Sequence, residues 1–189
     1  MSEIIEREKA VADPTFWQKR IAQALAAGDL RHSVYRAPES MWLGVCSDHR
    51  KILNEVIKPE DKVLDAGCGY GRLVDLLPIL TYCGCFRHRI RGSYTGVDIS
   101  PDFIAIAKQT HKDVDFYTND LTQLPFEDKS FDWSICVSVM IMTAQNMGWS
   151  YWEKIQNELL RVSKRILCLE YGTGDTDTES STYYIINGR

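Results

Sequence analysis

The sequence predicts an α/β fold: a doubly wound, mostly parallel sheet of six or seven strands, helices on both faces, and an N-terminal helical arm. Three observations predict it. From Lys62 onward, short apolar runs alternate with segments of helical period. The first of these runs enters a glycine-rich turn and then a helix, the arrangement that places a ligand at the open end of such a sheet. The composition, 44% hydrophobic and 25% charged, is that of an ordinary soluble globular domain.

The elements follow in order. Asp13-Pro14 opens a helix, with Asp as N-cap and Pro at the first helical position. Phe16, Trp17, Ile21, Ala24 and Leu25 follow at helical spacing, and Gly28 ends the run. Residues 29–38 have no period and read as a loop. A second helix is expected over about Ser40 to Ile57, with Pro59 just beyond it. Residues 1–58 thus form a helical arm, and 59–189 the core of what is one domain overall.

In the core, Lys62 to Asp65 is a strand, Gly67 to Gly71 a turn, and Arg72 to Leu80 a helix. Tyr94 to Asp98 is the second strand. Ser100-Pro101 caps a helix reaching about Gln109. Val114 to Tyr117 is the third strand and Phe131 to Met140 a fourth, fully buried one. Ser150-Tyr151-Trp152-Glu153 fits a capping box that opens a helix to Lys164. Ile166 to Tyr171 is the fifth strand, and Thr182 to Ile186 can supply one more.

Charge and length exclude several classes. With 189 residues the chain holds one sizeable domain. The net charge is −4 and the sequence pI about 5.6, which argues against a nucleic-acid partner held by a broad basic field. No apolar run approaches the roughly 18 residues of a membrane helix. The charged N-terminus lacks the apolar stretch of a secretory signal, so the reading is cytoplasmic, with the six cysteines as reduced thiols.

The chemistry concentrates in Val63-Leu64-Asp65-Ala66-Gly67-Cys68-Gly69-Tyr70-Gly71-Arg72. Glycines at a strand-to-helix turn let backbone approach a ligand closely. A dinucleotide site wants G-x-G-x-x-G, but the sixth position from Gly67 is Arg72. Asp65 at the strand end would repel a pyrophosphate and favour a cationic ammonium or sulfonium. Asp98, ending the second strand, sits where a carboxylate can accept both hydroxyls of a ribose.

At these residues the chain resembles the class I S-adenosylmethionine-dependent methyltransferases, in particular their small-molecule subgroup. Asn119-Asp120-Leu121 resembles the family's third element, and Leu124 to Asp132 the segment leading into its fourth strand. The resemblance covers about Glu55 to Tyr171. It implies a Rossmann-like core that binds S-adenosylmethionine and releases S-adenosylhomocysteine. It further implies that Gly67, Cys68 and Gly69 line the methionine part through their backbone and that Asp65 faces its amino group, directly or through water. Asp98 would hold the ribose, Ile99 pack on the adenine, Asp120 and Leu121 take the adenine edge, and Val137 cover the cofactor. In some relatives an arm Arg or Tyr reaches the cofactor carboxylate; here Tyr35-Arg36 is the pair to watch, and Arg36 is taken as cofactor-binding, with an exposed loop as the alternative.

Two departures stand out. The segment around Thr81 to Ser93 is an excess over the family, and its Cys83, Cys85 and His88 match no structural zinc pattern, so it reads as a basic surface loop without metal. The tail is short where the family ends in a helix and a two-stranded hairpin. This keeps open a second reading, a cofactor-binding regulatory protein without turnover. No Asn/Asp-Pro-Pro-Tyr motif of nucleic-acid base methylases occurs, so the expected acceptor is a small molecule, facing Cys136 to Thr143. His49 reads as a surface or capping histidine, with a general base as the alternative. Trp149 and Trp152 are read as core before acceptor pocket. No general base, catalytic residue or oligomeric state follows from the residues.

Overall fold

A computed structural model describes residues 14–33, 39–77, 80–83, 86–89, 93–171 and 181–188. The arm contributes α1 (Pro14–Ala26), a 3-10 turn over Leu30–Ser33, and α2 (Glu39–Val56). The core follows with β1 (Lys62–Ala66), β2 (Leu80–Cys83), β3 (Phe86–Arg89), β4 (Ser93–Asp98), α3 (Pro101–Thr110), β5 (Asp115–Thr118) and β6 (Phe131–Val137). It ends with α4 (Val139–Met147), α5 (Trp149–Val162), β7 (Ser163–Tyr171) and β8 (Ser181–Asn187).

Six strands form one sheet in the order β5-β4-β1-β6-β7-β8. The first five are parallel, and β8 runs antiparallel to β7. Burial on both faces explains the near-continuous apolar strands. Along β1, Val63 points to one face and Leu64 and Ala66 to the other, and all three are fully buried. The Val63 face packs with Leu53 of α2 and Ile104 and Ala107 of α3. The Leu64 face packs with Trp152, Ile155, Leu159 and Val162, which recur along α5 at helical spacing.

Several expectations are corrected. The fourth strand stops at Val137 rather than Met140, because Ser138 turns into the left-handed region (φ 58°) and starts α4. The helix expected over 72–80 is one 3-10 turn, Arg72–Asp75; Pro78 inside that span is incompatible with a helix interior. The expected 81–93 loop contains an antiparallel hairpin, β2 with β3, outside the main sheet. Its side chains, including Cys83 and His88, lie outside the described residues, as does Cys85. The capping box at Ser150 does not form. Gly148 (φ 85°) caps α5, whose first turn starts at Trp149, with no side-chain bond. Ser100 does cap α3, accepting from the Phe103 amide at 3.4 Å.

The segment before β6 is tied to α5 by one arginine. Arg161 donates to the Leu124 and Phe126 carbonyls, each at 2.9 Å, and to Asp128 at 2.8 Å. Glu158 accepts from Arg161 and from the Leu124 amide. This fixes the chain that follows Asp120 and Leu121 against α5. No described helix is long and apolar enough to cross a membrane.

Candidate active site

The carboxyl ends of β1, β4 and β6 open into one cavity, enclosing about 910 Å³ of empty space with its mouth included. One side is polar. Gly67 and Gly69 present backbone there, both at positive φ (79° and 54°), which a side chain would oppose. A Cβ on Gly67 would lie 2.5 Å from Val139 Cγ2, so glycine lets α4 pack closely on the turn.

Asp98 sits on the same side, 8% exposed. Its Oδ2 accepts from the Gly69 amide and its Oδ1 from the Ser100 amide, both at 2.9 Å. Burial raises its carboxyl above the ordinary value, against the pull of the Ser100, Gly69 and Ile99 amides. Asp120 faces the cavity after β5. Its Oδ1 accepts from the Thr122 amide at 2.8 Å and the Thr122 hydroxyl at 2.9 Å. Ile99, Leu121 and Val137 line the cavity between these carboxylates and the sheet edge.

The rest of the lining is mostly apolar and comes from three helices. α4 supplies Val139, Met142, Thr143 and Met147, α5 supplies Tyr151 and Ile155, and the arm supplies Trp17. Trp17 reaches the site by packing on Phe103 of α3, ring centroids 5.9 Å apart. Ser138, at the cavity floor, holds its left-handed backbone while its amide donates to the Leu169 carbonyl at 2.9 Å.

Of the residues the sequence singles out, seven line the cavity: Gly67, Gly69, Asp98, Ile99, Asp120, Leu121 and Val137. Asp65 does not. It is buried behind the glycine turn, where its Oδ2 accepts from the Tyr94 hydroxyl at 2.5 Å. Burial raises its carboxyl to about 7, against the Tyr94 bond and the Arg72 charge. The Cys68 side chain turns into the core, which leaves only its backbone at the loop. Tyr35 and Arg36 lie outside the described residues. His49 is neither on the surface nor in the cavity. It is 1% exposed, its Nδ1 accepts from Arg72 at 3.2 Å, and burial and then the Arg72 charge hold it down at about 3. Trp152 is core, whereas Trp149 is 64% exposed. Sequence reasoning missed Trp17, Phe103 and Tyr151, because a helical pattern alone does not say which aromatic meets a cavity.

The family described as Methyltransferase domain matches residues 63–165, more than half of the chain. The chain belongs to the class I S-adenosylmethionine-dependent methyltransferases. Solved structures show the same fold. A methyltransferase from Aquifex aeolicus has a TM-score of 0.52 at 18% identity, over 70% of this chain and 69% of that one. A protein from Pyrococcus horikoshii OT3 gives 0.55 at 23% identity, over 70% and 55%. The magnesium protoporphyrin IX methyltransferase from Synechocystis PCC 6803, solved with S-adenosylmethionine bound, gives 0.50 at 22% identity, over 69% and 59%. The chain thus spans little more than half the length of most of these methyltransferase-fold structures. No protein of curated function matches its sequence.

The methyltransferase site fits this cofactor on the structure's own terms. Gly67 and Gly69 bring bare backbone to the cavity lining, where a ligand can approach it closely. Asp98 and Asp120 are acceptor carboxylates at neighbouring strand ends, where hydroxyls and an amine can donate.

Proposed function

We propose that this methyltransferase moves the methyl group of S-adenosylmethionine to a small-molecule acceptor held against α4. The observation that carries the reading is the convergence of the Gly67 and Gly69 backbone, Asp98 and Asp120 on one cavity whose remaining lining is mostly apolar. S-adenosylmethionine supplies an electrophilic methyl on a sulfonium, and its leaving group departs neutral.

The residues then divide the work. The backbone of Gly67, Cys68 and Gly69 holds the methionine part. Asp65, behind the turn, supports that backbone from the core through its bond to Tyr94. Asp98 accepts from the ribose hydroxyls, Asp120 from the adenine amine, and Ile99, Leu121 and Val137 sandwich the base. Arg36 of the arm meets the cofactor carboxylate. Residues 1–58 act as a lid, and Trp17 packing on Phe103 is the contact that supports this. Alignment of acceptor with methyl, and exclusion of water by Trp17, Met142 and Met147, contribute the rate enhancement.

The acidic pI and the enclosed apolar wall favour a small acceptor over nucleic acid, and the protein is read as cytoplasmic. The test is release of S-adenosylhomocysteine with panels of small molecules, peptides and RNA. Release driven by small molecules alone supports the reading. Release driven only by RNA or protein overturns the acceptor class.

A further inference from the structure

Glu170 stands one residue before the end of β7 and is 1% exposed. By strand alternation it shares a face with Ile166 and Cys168, which pack in the same core as α5. An apolar side chain would continue that row. The chain places a carboxyl there instead, and burying one costs free energy. Burial raises it to about 7, against the pull of the Ile141 and Met140 amides. Glu170 does not line the cavity.

Its hydrogen bond points to its task. Oε1 accepts from the amide of Ile141, the third residue of α4, at 3.4 Å. The first amides of a helix have no partner inside it, and the N-cap side chain usually takes one of them. Ser138 holds the N-cap position of α4 and is a favoured residue for it, but its left-handed backbone gives no side-chain cap. Glu170 supplies from the neighbouring strand what Ser138 does not. The Ser138 amide donates to the Leu169 carbonyl at 2.9 Å. The start of α4 is thus tied to the end of β7 twice, once by backbone and once by the Glu170 side chain.

That start is also where α4 meets the site. Val139 packs so closely on the glycine turn that its Cγ2 would lie 2.5 Å from a Cβ on Gly67. Val139, Met142 and Thr143 then line the cavity. We infer that Glu170 is a positioning residue: its side chain caps α4, and so holds Val139 against the Gly67 turn in the shape that grips the cofactor. This rests on the reading of that turn as the holder of the methionine part.

The test uses the full chain as wild type, Glu170→Gln and Glu170→Leu, with Asp98→Ala as a reference. Amide hydrogen exchange over residues 138–147 is measured beside calorimetric titration with S-adenosylhomocysteine. Glu170→Leu fills the same row with an apolar side chain but cannot accept. It is expected to speed exchange at the start of α4 by about tenfold, while β1 and α5 stay protected. It is also expected to weaken S-adenosylhomocysteine by about three- to tenfold. Glu170→Gln keeps an acceptor oxygen and is expected to restore both to within about twofold of wild type. Unchanged exchange at α4 in Glu170→Leu overturns the inference, and so does exchange raised alike in β1 and α5, which would make Glu170 a general core residue. Failure of Glu170→Gln to rescue overturns it as well. Affinity unchanged in Glu170→Leu while Asp98→Ala loses it also overturns the inference and leaves the reading of the site intact. Affinity unchanged in both variants, or no binding by wild type, means that the reading of the site fails, and this inference falls with it.

Discussion

The Asp98 carboxylate holds the Gly69 amide at 2.9 Å, joining the end of β4 to the glycine turn that follows β1. Its other oxygen takes the Ser100 amide, so one side chain sets the shape of the turn and the start of α3 together. A buried carboxylate that accepts from two backbone amides is oriented before any ligand arrives, and that orientation turns a strand end into a binding edge.

Asp98→Ala is therefore expected to weaken S-adenosylhomocysteine binding by at least roughly tenfold, the cost of one or two charge-assisted hydrogen bonds. The thermal midpoint should also fall, because the Gly69 and Ser100 amides lose their acceptor. Calorimetry and a melt on the same sample check both effects.

Gly67→Ala should destabilise the fold by about 1–3 kcal/mol, since its Cβ would lie 2.5 Å from Val139 Cγ2 and its φ is +79°. Adding Val139→Ala relieves the clash but not the backbone strain. The double variant should thus recover part of the loss and leave about 1–2 kcal/mol. Urea denaturation of the four proteins in the cycle measures this.

Asp65 makes a pH-dependent contribution whose sign is fixed. Its carboxyl rises from 3.8 to about 7 in the fold. Between those values the folded state binds more protons than the unfolded one, so its contribution is full below about 4 and is lost as pH rises through 7. Asp65→Asn should flatten that fall and be stabilising relative to wild type at pH 8. His49 acts in the opposite sense. Lowered from 6.5 to about 3, it contributes fully above 6.5 and loses its contribution as pH falls through 3. His49→Gln should remove that loss on acidification and leave the Asp65 fall with rising pH unopposed between pH 4 and 6.5. Denaturant midpoints from pH 4 to 8 separate the two.

Two tryptophans three residues apart should behave differently. Trp152 is 3% exposed and packs among Leu64, Val97 and Ile155, so Trp152→Ala should cost about 3–5 kcal/mol. Trp149 is 64% exposed, and Trp149→Ala should stay within about 0.5 kcal/mol. Chemical denaturation of both variants decides.

The sheet was legible because a parallel strand buried on both faces leaves an apolar run with few competitors. The glycine turn and the acidic strand ends marked the cavity's polar side for the same reason: few other structures need those residues in that order. The apolar wall was not legible. Cys136 to Thr143 is apolar except for Ser138 and Thr143, and its change from strand to helix happens at Ser138, whose left-handed backbone has no signal in a non-glycine residue. Trp17 was placed on the correct helix, but its contact with Phe103 is a tertiary choice. The 72–80 helix failed because Pro78 was outweighed by the apolar pattern around it. Gly148 took the cap from Ser150 for a similar reason: it can adopt the φ of 85° that the corner between α4 and α5 requires.

The most direct measurement is calorimetric titration of the purified protein with S-adenosylmethionine, S-adenosylhomocysteine and NAD, repeated for Asp98→Ala. The account predicts micromolar binding of the first two, no binding of NAD, and a loss of at least roughly tenfold in the variant. Binding of NAD alone, or cofactor affinity unchanged by Asp98→Ala, would contradict it.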